Sequence, residues 1–177
     1  MFIMIFLYIL GGIIALVLIL ALIAPSSYTV SRSIAIAAPK QTVFTYLKSI
    51  KNQDNWSPWK KKDPDMNQEF VGKDGTVGFI ARWEGNKDVG SGEQEIVKII
   101  SDERIDSRLR FFKPWKSESE GFLTTKSIAA NETKVTWGFS GKNKFPFSIF
   151  FLFFNMDKTV GKDFEEGLAY LKAILEK

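Results

Sequence analysis

The side chains available for chemistry in this sequence are carboxylates, lysines, arginines and tyrosines, because the chain contains no histidine and no cysteine. This composition excludes Ser-His and Cys-His nucleophile pairs and the usual zinc ligand sets. Acid–base catalysis would need one of the remaining groups within hydrogen-bond reach of a substrate. Glu84 and Asn86, in the sequence WEGN, are polar candidates, but a turn after Gly85 explains them equally well. We identify no catalytic pair, expect no metal or cofactor, and favour a non-enzymatic role.

Arg32 is the charged residue in the most unusual position. The surrounding sequence YTVSRSIAI alternates with a period of two, which predicts a strand with Tyr28 and Val30 on its apolar face and serines on the other. Strict alternation places Arg32 on the apolar face, where the guanidinium would need a carboxylate partner or an anionic ligand group. A strand that begins one or two residues later would leave Arg32 in solvent, and the sequence is compatible with both arrangements.

Four of the five tryptophans are interpreted as core or as pocket lining. Trp83 and Trp137 lie in phase with apolar residues of alternating segments, which places both side chains inside. Trp56 and Trp59 flank a Ser-Pro pair in a predicted loop, where a tryptophan pair can shape a pocket mouth or lie at a membrane interface. The sequence does not separate core packing from pocket lining at these positions.

Two spacings of apolar residues, one typical of strands and one typical of helices, predict the elements that position these residues. Residues 66–141 alternate with a period of two between short stretches of turn-forming residues, which predicts about six antiparallel strands. A shorter helix is predicted to begin at Pro39. A long amphipathic C-terminal helix is predicted from an apolar stripe that comprises Val160, Phe164, Leu168, Leu171 and Leu175.

Small and acidic residues also mark this C-terminal helix. Gly161 and Gly167 lie close to the apolar stripe, although glycine disfavours a helix by up to about 1 kcal/mol relative to alanine. They therefore indicate either a close approach of another backbone, or a gap that faces a ligand. The acidic residues of this region are interpreted as a helix cap and first-turn acids: Asp157, Asp163, Glu165 and Glu166.

The N-terminal segment is uniformly apolar. Residues 1–31 contain no charged side chain, and Met1–Ala24 is a continuous apolar run. Since a helix of roughly 20 apolar residues crosses a bilayer, we predict a single-pass membrane anchor over residues 1–25 and a folded domain over residues 27–177. A signal peptide and a buried core helix are the alternatives, but the run lacks the basic start and the short apolar core of a signal peptide.

The charge pattern informs the location and the partners. Arg32 and Lys40 follow the anchor, which favours the cell membrane with the domain on the cytoplasmic side, whereas the lack of cysteine leaves the redox compartment open. The net charge of +4 is spread over interleaved acids and bases, so no nucleic-acid partner is predicted. The basic run Lys60–Lys62 is interpreted as a solvated loop or as a contact with anionic lipid.

The order of elements predicts an α+β fold in which a curved antiparallel sheet wraps around the C-terminal helix. Residues 28–177 also resemble the SRPBCC or START-like helix-grip superfamily, which includes Bet v 1-type plant proteins, lipid-transfer domains and polyketide cyclases. The resemblance is closest to the bacterial polyketide cyclase/dehydrase-like branch. It rests on five segments in the same order: RSIAIAAPKQTVFTYL, NWSPWKKKDPDM, WEGNKDVGSGEQEI, TKVTW and NMDKTVGKDFEEGLAYLK.

A hydrophobic ligand is the function that this architecture favours, because a sheet that grips one helix leaves apolar space between them. We predict that the protein binds a hydrophobic small molecule or lipid in that space and contacts the bilayer through residues 1–24. Two alternatives remain, a cyclase or dehydratase as the resemblance implies, and a tethered protein-interaction domain with a filled interior. The oligomeric state is not determined by the sequence. The predicted ligand-binding residues are Arg32, Trp56, Trp59, Trp83, Trp137, Phe150, Phe154 and Phe164.

The sequence FPFSIFFLFF, residues 145–154, is apolar on every side. Ten residues are too few to cross a bilayer, so this segment is not a second anchor. It is interpreted either as a short helix packed under the rim of the sheet or as a pocket-mouth segment that enters the membrane interface.

Overall fold

The computed structural model describes residues 2–143, 145, 147–153 and 155–177, except for the side chains of Phe147 and Phe150. The helices are α1 (Phe2–Ile23), α2 (Lys40–Lys48), α3 (Pro58–Lys62) and α4 (Met156–Leu175), with 3₁₀ helices η1 (Ile50–Asn55) and η2 (Phe147–Leu152). The strands are β1 (Ser27–Ile36), β2 (Asn67–Val71), β3 (Ile80–Glu84), β4 (Ser91–Ile100), β5 (Arg104–Lys113), β6 (Ser117–Ala129) and β7 (Glu132–Lys142).

Helix α1 is exposed along most of its length. It has 22 residues without a charge, and its most apolar window has a mean hydropathy of 3.0. At 1.5 Å per residue it is about 33 Å long, which is enough to cross about 30 Å of hydrocarbon. Its large apolar side chains are exposed, and Ala21 alone among its described residues is buried. The alternative of a buried core helix is therefore wrong.

The seven strands form one curved antiparallel sheet in the order β1-β7-β6-β5-β4-β3-β2. Hairpins connect β2 through β7, and β1 closes the edge by pairing with β7. The predicted alternation is confirmed, since Val135, Trp137 and Phe139 are buried on one face of β7. Val30 and Ile36 are buried on the same face of β1. This inner face carries the core, whereas the outer face is polar.

Helix α4 covers the inner face along β1 and β7. The predicted stripe is confirmed, with Phe164, Leu168 and Leu171 buried and Val160 and Leu175 partly buried against the core. Each fully buried side chain of this size contributes about 1.5–3 kcal/mol relative to an exposed one. The helical region after β1 adds four buried side chains to the same core, Val43, Phe44, Leu47 and Ile50.

A ladder of charges crosses the outer face of the sheet. Glu93 on β4 accepts hydrogen bonds from Arg82 on β3 and Arg110 on β5, and Arg110 also donates to Glu95 at 2.8 Å. The Glu93 side chain is only 12% exposed. Its burial disfavours the charge, but the hydrogen bonds from Arg110 and Arg82 outweigh that cost and hold the pKa of Glu93 below its ordinary value.

We expect Glu93→Gln to lower the free energy of unfolding at pH 7 by about 2 kcal/mol, because two arginines lose a mostly buried charged partner. Since the folded-state pKa is lowered, this stability is present above the unfolded-state pKa near 4.5 and is lost as the pH falls through the folded-state pKa. Urea unfolding of the detergent-solubilised protein at pH 7 and pH 3 measures the effect, with the exposed Glu103→Gln as control. An equal loss at both pH values would contradict the charge argument.

Candidate functional site

Four of the predicted ligand-binding residues meet under α4. Trp56 follows η1, Trp59 lies on α3, Trp137 on β7 and Phe164 on α4. The Trp137 ring centroid lies 4.7 Å from that of Trp56, 5.4 Å from that of Trp59 and 4.4 Å from that of Phe164. These four side chains are called the aromatic cluster below. The aromatic cluster joins three helical segments to the inner face of the sheet.

The aromatic cluster fills the space between sheet and helix. Trp56 has no exposed surface, and a Cβ added at Gly167 would lie 2.7 Å from Cζ3 of Trp137 and 3.1 Å from Cδ of Pro58. Side chains, rather than the backbone predicted from Gly167, therefore make the closest approach to α4 here. The hollow predicted at this position is occupied by indole and phenyl rings in the described part of the chain. Large aromatic side chains, rather than open space, complete the grip of the sheet on α4.

Trp83 lies outside the aromatic cluster. It is half-buried on β3, near the other edge of the sheet, with its ring centroid 5.9 Å from that of Phe111 on β5. Gly92 on β4 provides the space for the indole, because a Cβ there would lie 2.6 Å from Cζ2 of Trp83. The predicted inward phase of Trp83 is confirmed. Its strand is separated from β7 by β4, β5 and β6, so it does not share a site with Trp137.

Arg32 lies on the inner face, in the predicted phase, and its guanidinium contacts α4. Nε donates to Oε1 of Glu165 at 2.6 Å, and Nη1 and Nη2 donate to the Asp157 carboxylate at 2.8 and 3.0 Å. A Cβ at Gly161 would collide with the guanidinium, so glycine permits this approach. The hydrogen bond from Arg32 lowers the pKa of Asp157, and the bonds to Asp157 and Glu165 raise the pKa of Arg32.

Three of the four acidic residues of α4 do not have the predicted roles of helix cap or first-turn acid. The helix cap is Asn155, whose side chain accepts a hydrogen bond from the backbone N–H of Lys158. Asp157 is in the first turn, as predicted. The other three acids lie beyond it and bind side chains: Glu165 binds Arg32, Asp163 binds Lys62, and Glu166 binds Tyr170. They were misassigned because the partners of Glu165 and Asp163 are remote in sequence.

The turn interpretation of the WEGN segment is supported. The Asn86 side chain accepts from the backbone N–H groups of Asp88 and Val89, which is a local turn bond. Glu84 accepts a hydrogen bond from Lys113 at 2.9 Å, and this bond lowers the pKa of Glu84. Asn86 stabilises the turn, whereas the bond between Glu84 and Lys113 joins the ends of β3 and β5.

An open cleft lies at the N-terminal end of α4. It has a volume of about 330 Å³ between the start of β1, η2 and the first turn of α4. Its apolar lining comprises Pro25, Tyr28, Val30, Phe151, Leu152, Phe153 and Met156, and its polar lining Thr29, Asn143, Asn155 and Asp157. The Tyr28 ring is stacked on Phe151 at 5.9 Å, and its hydroxyl is hydrogen-bonded to Ser119. We call this the anchor-side cleft.

The anchor-side cleft adjoins the end of α1. Ser148 in η2 donates to the backbone carbonyl of Ala21 at 3.2 Å, and Asn143 donates to that of Pro25 at 2.8 Å. Within residues 145–153, the phenylalanine-rich segment therefore packs against the last turn of α1. A second open cleft of about 560 Å³ lies between α2 and the C-terminal end of α4, and Leu175 is the one wholly apolar side chain among its lining residues. The smaller cleft has several wholly apolar side chains and adjoins the end of α1, so it is the better candidate for an apolar ligand from the bilayer.

Comparison with solved structures identifies the architecture. Norcoclaurine synthase from Thalictrum flavum, in complex with dopamine and hydroxybenzaldehyde, has a TM-score of 0.64 and 10% identity, and the match covers 89% of this chain and 92% of that chain. Major latex-like protein 151 from Panax ginseng gives 0.61 and 13%, over 85% and 99%. The Aha1 dimer from Colwellia psychrerythraea gives 0.59 and 16%, over 84% and 96%. This is the helix-grip fold.

The helix-grip fold is shown by structure and not by sequence similarity. No protein-family model matches the sequence, and no curated protein matches it. At 10–16% identity, the structural neighbours establish the architecture alone. The site must therefore be argued from this chain's own residues.

Residues of the anchor-side cleft were partly missed from the sequence. Tyr28 was placed on the inner face by alternation, but nothing in the local pattern brings it to Phe151, which follows 123 positions later. Asn155 and Met156 carried no signal of their own. Two predicted ligand-binding groups, the side chain of Phe150 and the whole of Phe154, lie outside the described residues.

Proposed function

We propose that this protein is a membrane-anchored binding protein for a hydrophobic small molecule or lipid, with the anchor-side cleft as the entry to its site. The observation that carries the proposal is the position of the cleft, which lies directly beside the end of a helix long enough to cross a bilayer. An apolar ligand could then pass between bilayer and protein without crossing water. The neighbours' fold is compatible with this role and does not by itself assign it.

The proposed anchor is α1, in a single pass at the cell membrane. Its uncharged length matches a bilayer, and its side chains face away from the domain. We also propose that the domain faces the cytoplasm. Arg32 and Lys40 follow the anchor in sequence, and Lys142 is the register partner of Ser27, so it lies near the anchor in space. Basic residues close to the end of a transmembrane helix favour the cytoplasmic side.

Binding is favoured over catalysis because the polar groups of the cleft are poor acid–base catalysts. Asp157 has the carboxylate that lines the cleft, but Arg32 lowers its pKa. A general acid or base works best when its pKa lies near the working pH. Asn155, Asn143 and Thr29 supply hydrogen bonds but do not titrate in that range. This set of groups is suited to orienting a polar head group while the apolar lining holds the remainder.

Native mass spectrometry with lipid extraction tests the proposal on the detergent-purified, full-length protein. We expect a co-purifying apolar ligand, and we expect Leu152→Asp to reduce its amount severalfold, because a charge in the cleft would have to be desolvated. Val77→Asp is the matched control, since Val77 is an exposed apolar residue in the β2–β3 loop. Absence of any apolar ligand after purification in several detergents would overturn the proposal.

The filled interior favours a second candidate, a membrane-tethered domain that binds another protein. The rings of the aromatic cluster pack against one another and against Gly167 under α4, as expected for a domain whose interior is core. The same experiment separates the two candidates. A ligand whose loss follows substitution in the anchor-side cleft supports the carrier, and complete absence of ligand supports the interaction domain.

A further inference from the structure

The hairpin that joins β5 to β6 lies at the same end of the sheet as the anchor. In the strand register, Ser119 on β6 is level with Gly141 on β7, which is level with Tyr28 on β1. Trp115 precedes Ser119 by four residues, and Pro25 precedes Tyr28 by three. Strands β1 and β6 run in the same direction, because both are antiparallel to β7, so the segments that precede them leave the sheet at the same end. The hairpin and the end of the anchor therefore both lie beyond this end of the sheet.

The tip of this hairpin is aromatic and exposed. The Trp115 side chain is 77% exposed, and Phe112, at the end of β5, is also exposed. An indole in this position contributes nothing to the core, so its role concerns what lies outside the domain. Tryptophan prefers the boundary between the head groups and the acyl chains of a bilayer. Leu152 and Phe153 are exposed in a similar way beside the last turn of α1, with Phe153 at 83%.

Lysines flank these aromatic residues, and Glu118, the nearest acid on β6, is paired with Arg108 and Arg110. Lys113 and Lys116 flank the hairpin tip, and Lys142 ends β7 at the same end of the sheet. Glu84 neutralises Lys113, whereas Lys116 and Lys142 have no acidic group within 4 Å among the described residues. A lysine near an anionic membrane surface favours binding to that surface.

We propose that the β5–β6 hairpin is a second membrane contact, in which Trp115 enters the interface of the bilayer that α1 crosses. The inference rests on the proposed anchoring by α1. The partner is an anionic lipid surface, because an exposed indole is flanked by lysines and lies at the same end as a transmembrane helix. Together with η2, the hairpin holds the domain against the membrane with the anchor-side cleft close to the lipid. Anchoring by α1 alone would leave the domain free to rotate away from the membrane surface.

Site-specific fluorescence tests the contact, and the natural absence of cysteine makes single labelling direct. Lys116→Cys is labelled with an environment-sensitive dye in the full-length protein, in nanodiscs of phosphatidylcholine and phosphatidylglycerol. We expect quenching by lipids that carry a spin label at head-group depth. Asn131→Cys, in the β6–β7 hairpin at the opposite end of the sheet, is the control and is expected to show none. Adding Trp115→Ala should remove most of the quenching at position 116.

The outcomes separate this contact from the anchor and from ligand binding. If the protein is inserted in the nanodisc but the dye at position 116 shows no more quenching than the dye at position 131, the proposed second contact is wrong. Anchoring by α1 is then unaffected. Quenching that is equally strong in phosphatidylcholine alone would overturn the role of the lysines that the labelled protein retains, Lys113 and Lys142. Near-ultraviolet circular dichroism confirms folding of the Trp115→Ala protein, and Trp115→Phe is expected to restore part of the quenching. Ligand content, measured independently, reports on the proposed binding function.

Discussion

Replacing Trp137 by alanine is expected to lower the free energy of unfolding by about 3–5 kcal/mol. Trp137 lies at the centre of the aromatic cluster, with Trp56, Trp59 and Phe164 all within 5.4 Å between ring centroids. Its removal would take apolar contact area from three helical segments at once. Since a whole domain is stable by only about 5–15 kcal/mol, this one change removes a large share. Chemical denaturation of the detergent-solubilised protein, followed by circular dichroism, measures the loss.

The space left by Trp137→Ala should bind indole. An apolar cavity stays dry and accepts an apolar molecule of matching size. We expect added indole to raise the midpoint of thermal unfolding of the variant and to leave that of the natural protein unchanged. Trp115→Ala is the matched control, because that indole is exposed, and it should change stability by less than about 0.5 kcal/mol. A loss for Trp137→Ala as small as for Trp115→Ala would show that the cluster does not support the fold.

The fold was predictable because its signals are local. Period-two alternation in β5 and β7 identified the residues that face the core, and the stripe that includes Phe164 and Leu168 identified α4. Short turns between strands imply hairpins, so the order of β2 through β7 followed from their order in the chain. Gly161 and Gly167 marked the positions of close contact on α4, but the contacts are made by the side chains of Arg32 and Trp137 and not by the predicted backbone.

The sequence predicted a hollow but not that aromatic rings fill it, because the filling depends on side-chain volume in three dimensions. Alternation shows that Trp137 points inward, but it does not show that Trp56 and Trp59 arrive from two other segments to fill the same space. The partners of Arg32 are remote in the same way, since Asp157 and Glu165 lie more than 120 residues away. The contact between Ser148 and Ala21 is equally distant in sequence. Local patterns predict which side chains face the core, whereas the tertiary arrangement determines which of these side chains contact one another.

Arg32→Met is expected to loosen the first half of α4 and leave the rest of the domain folded. Three hydrogen bonds from one guanidinium join β1 to Asp157 and Glu165 on this helix. Both carboxylates are more than half exposed, so water and salt weaken the attraction and its loss should cause local opening rather than unfolding. We expect amide hydrogen exchange in residues 157–165 to become roughly tenfold faster at pH 7.

The pH dependence identifies the cause of that opening. The folded-state pKa of Asp157 is lowered, so the ion pair contributes above the unfolded-state pKa near 3.8 and is lost as the pH falls through the folded-state pKa. After correction for the intrinsic exchange rate, the exchange of the natural protein should approach that of the variant as the pH falls through the folded-state pKa of Asp157. Arg32→Lys should give an intermediate rate, because an ammonium cannot reproduce the guanidinium fork. Arg104→Met, which removes a pair with Asp106 on β5, is the control and should leave α4 unchanged.

From the position of Arg32, we expect this opening of α4 to affect the proposed entry of a ligand. Tyr28 and Val30 line the anchor-side cleft, and Arg32, the next inward residue of β1, is the register partner of Trp137 in the aromatic cluster. The ion pairs therefore lie between the cleft and the filled interior. A ligand larger than the cleft of about 330 Å³ would have to displace these ion pairs and rearrange the aromatic cluster behind them to bind under α4. We then expect Arg32→Met to release a co-purified ligand faster than the natural protein in a detergent wash. Faster exchange in α4 without faster release would place the whole ligand site in the cleft.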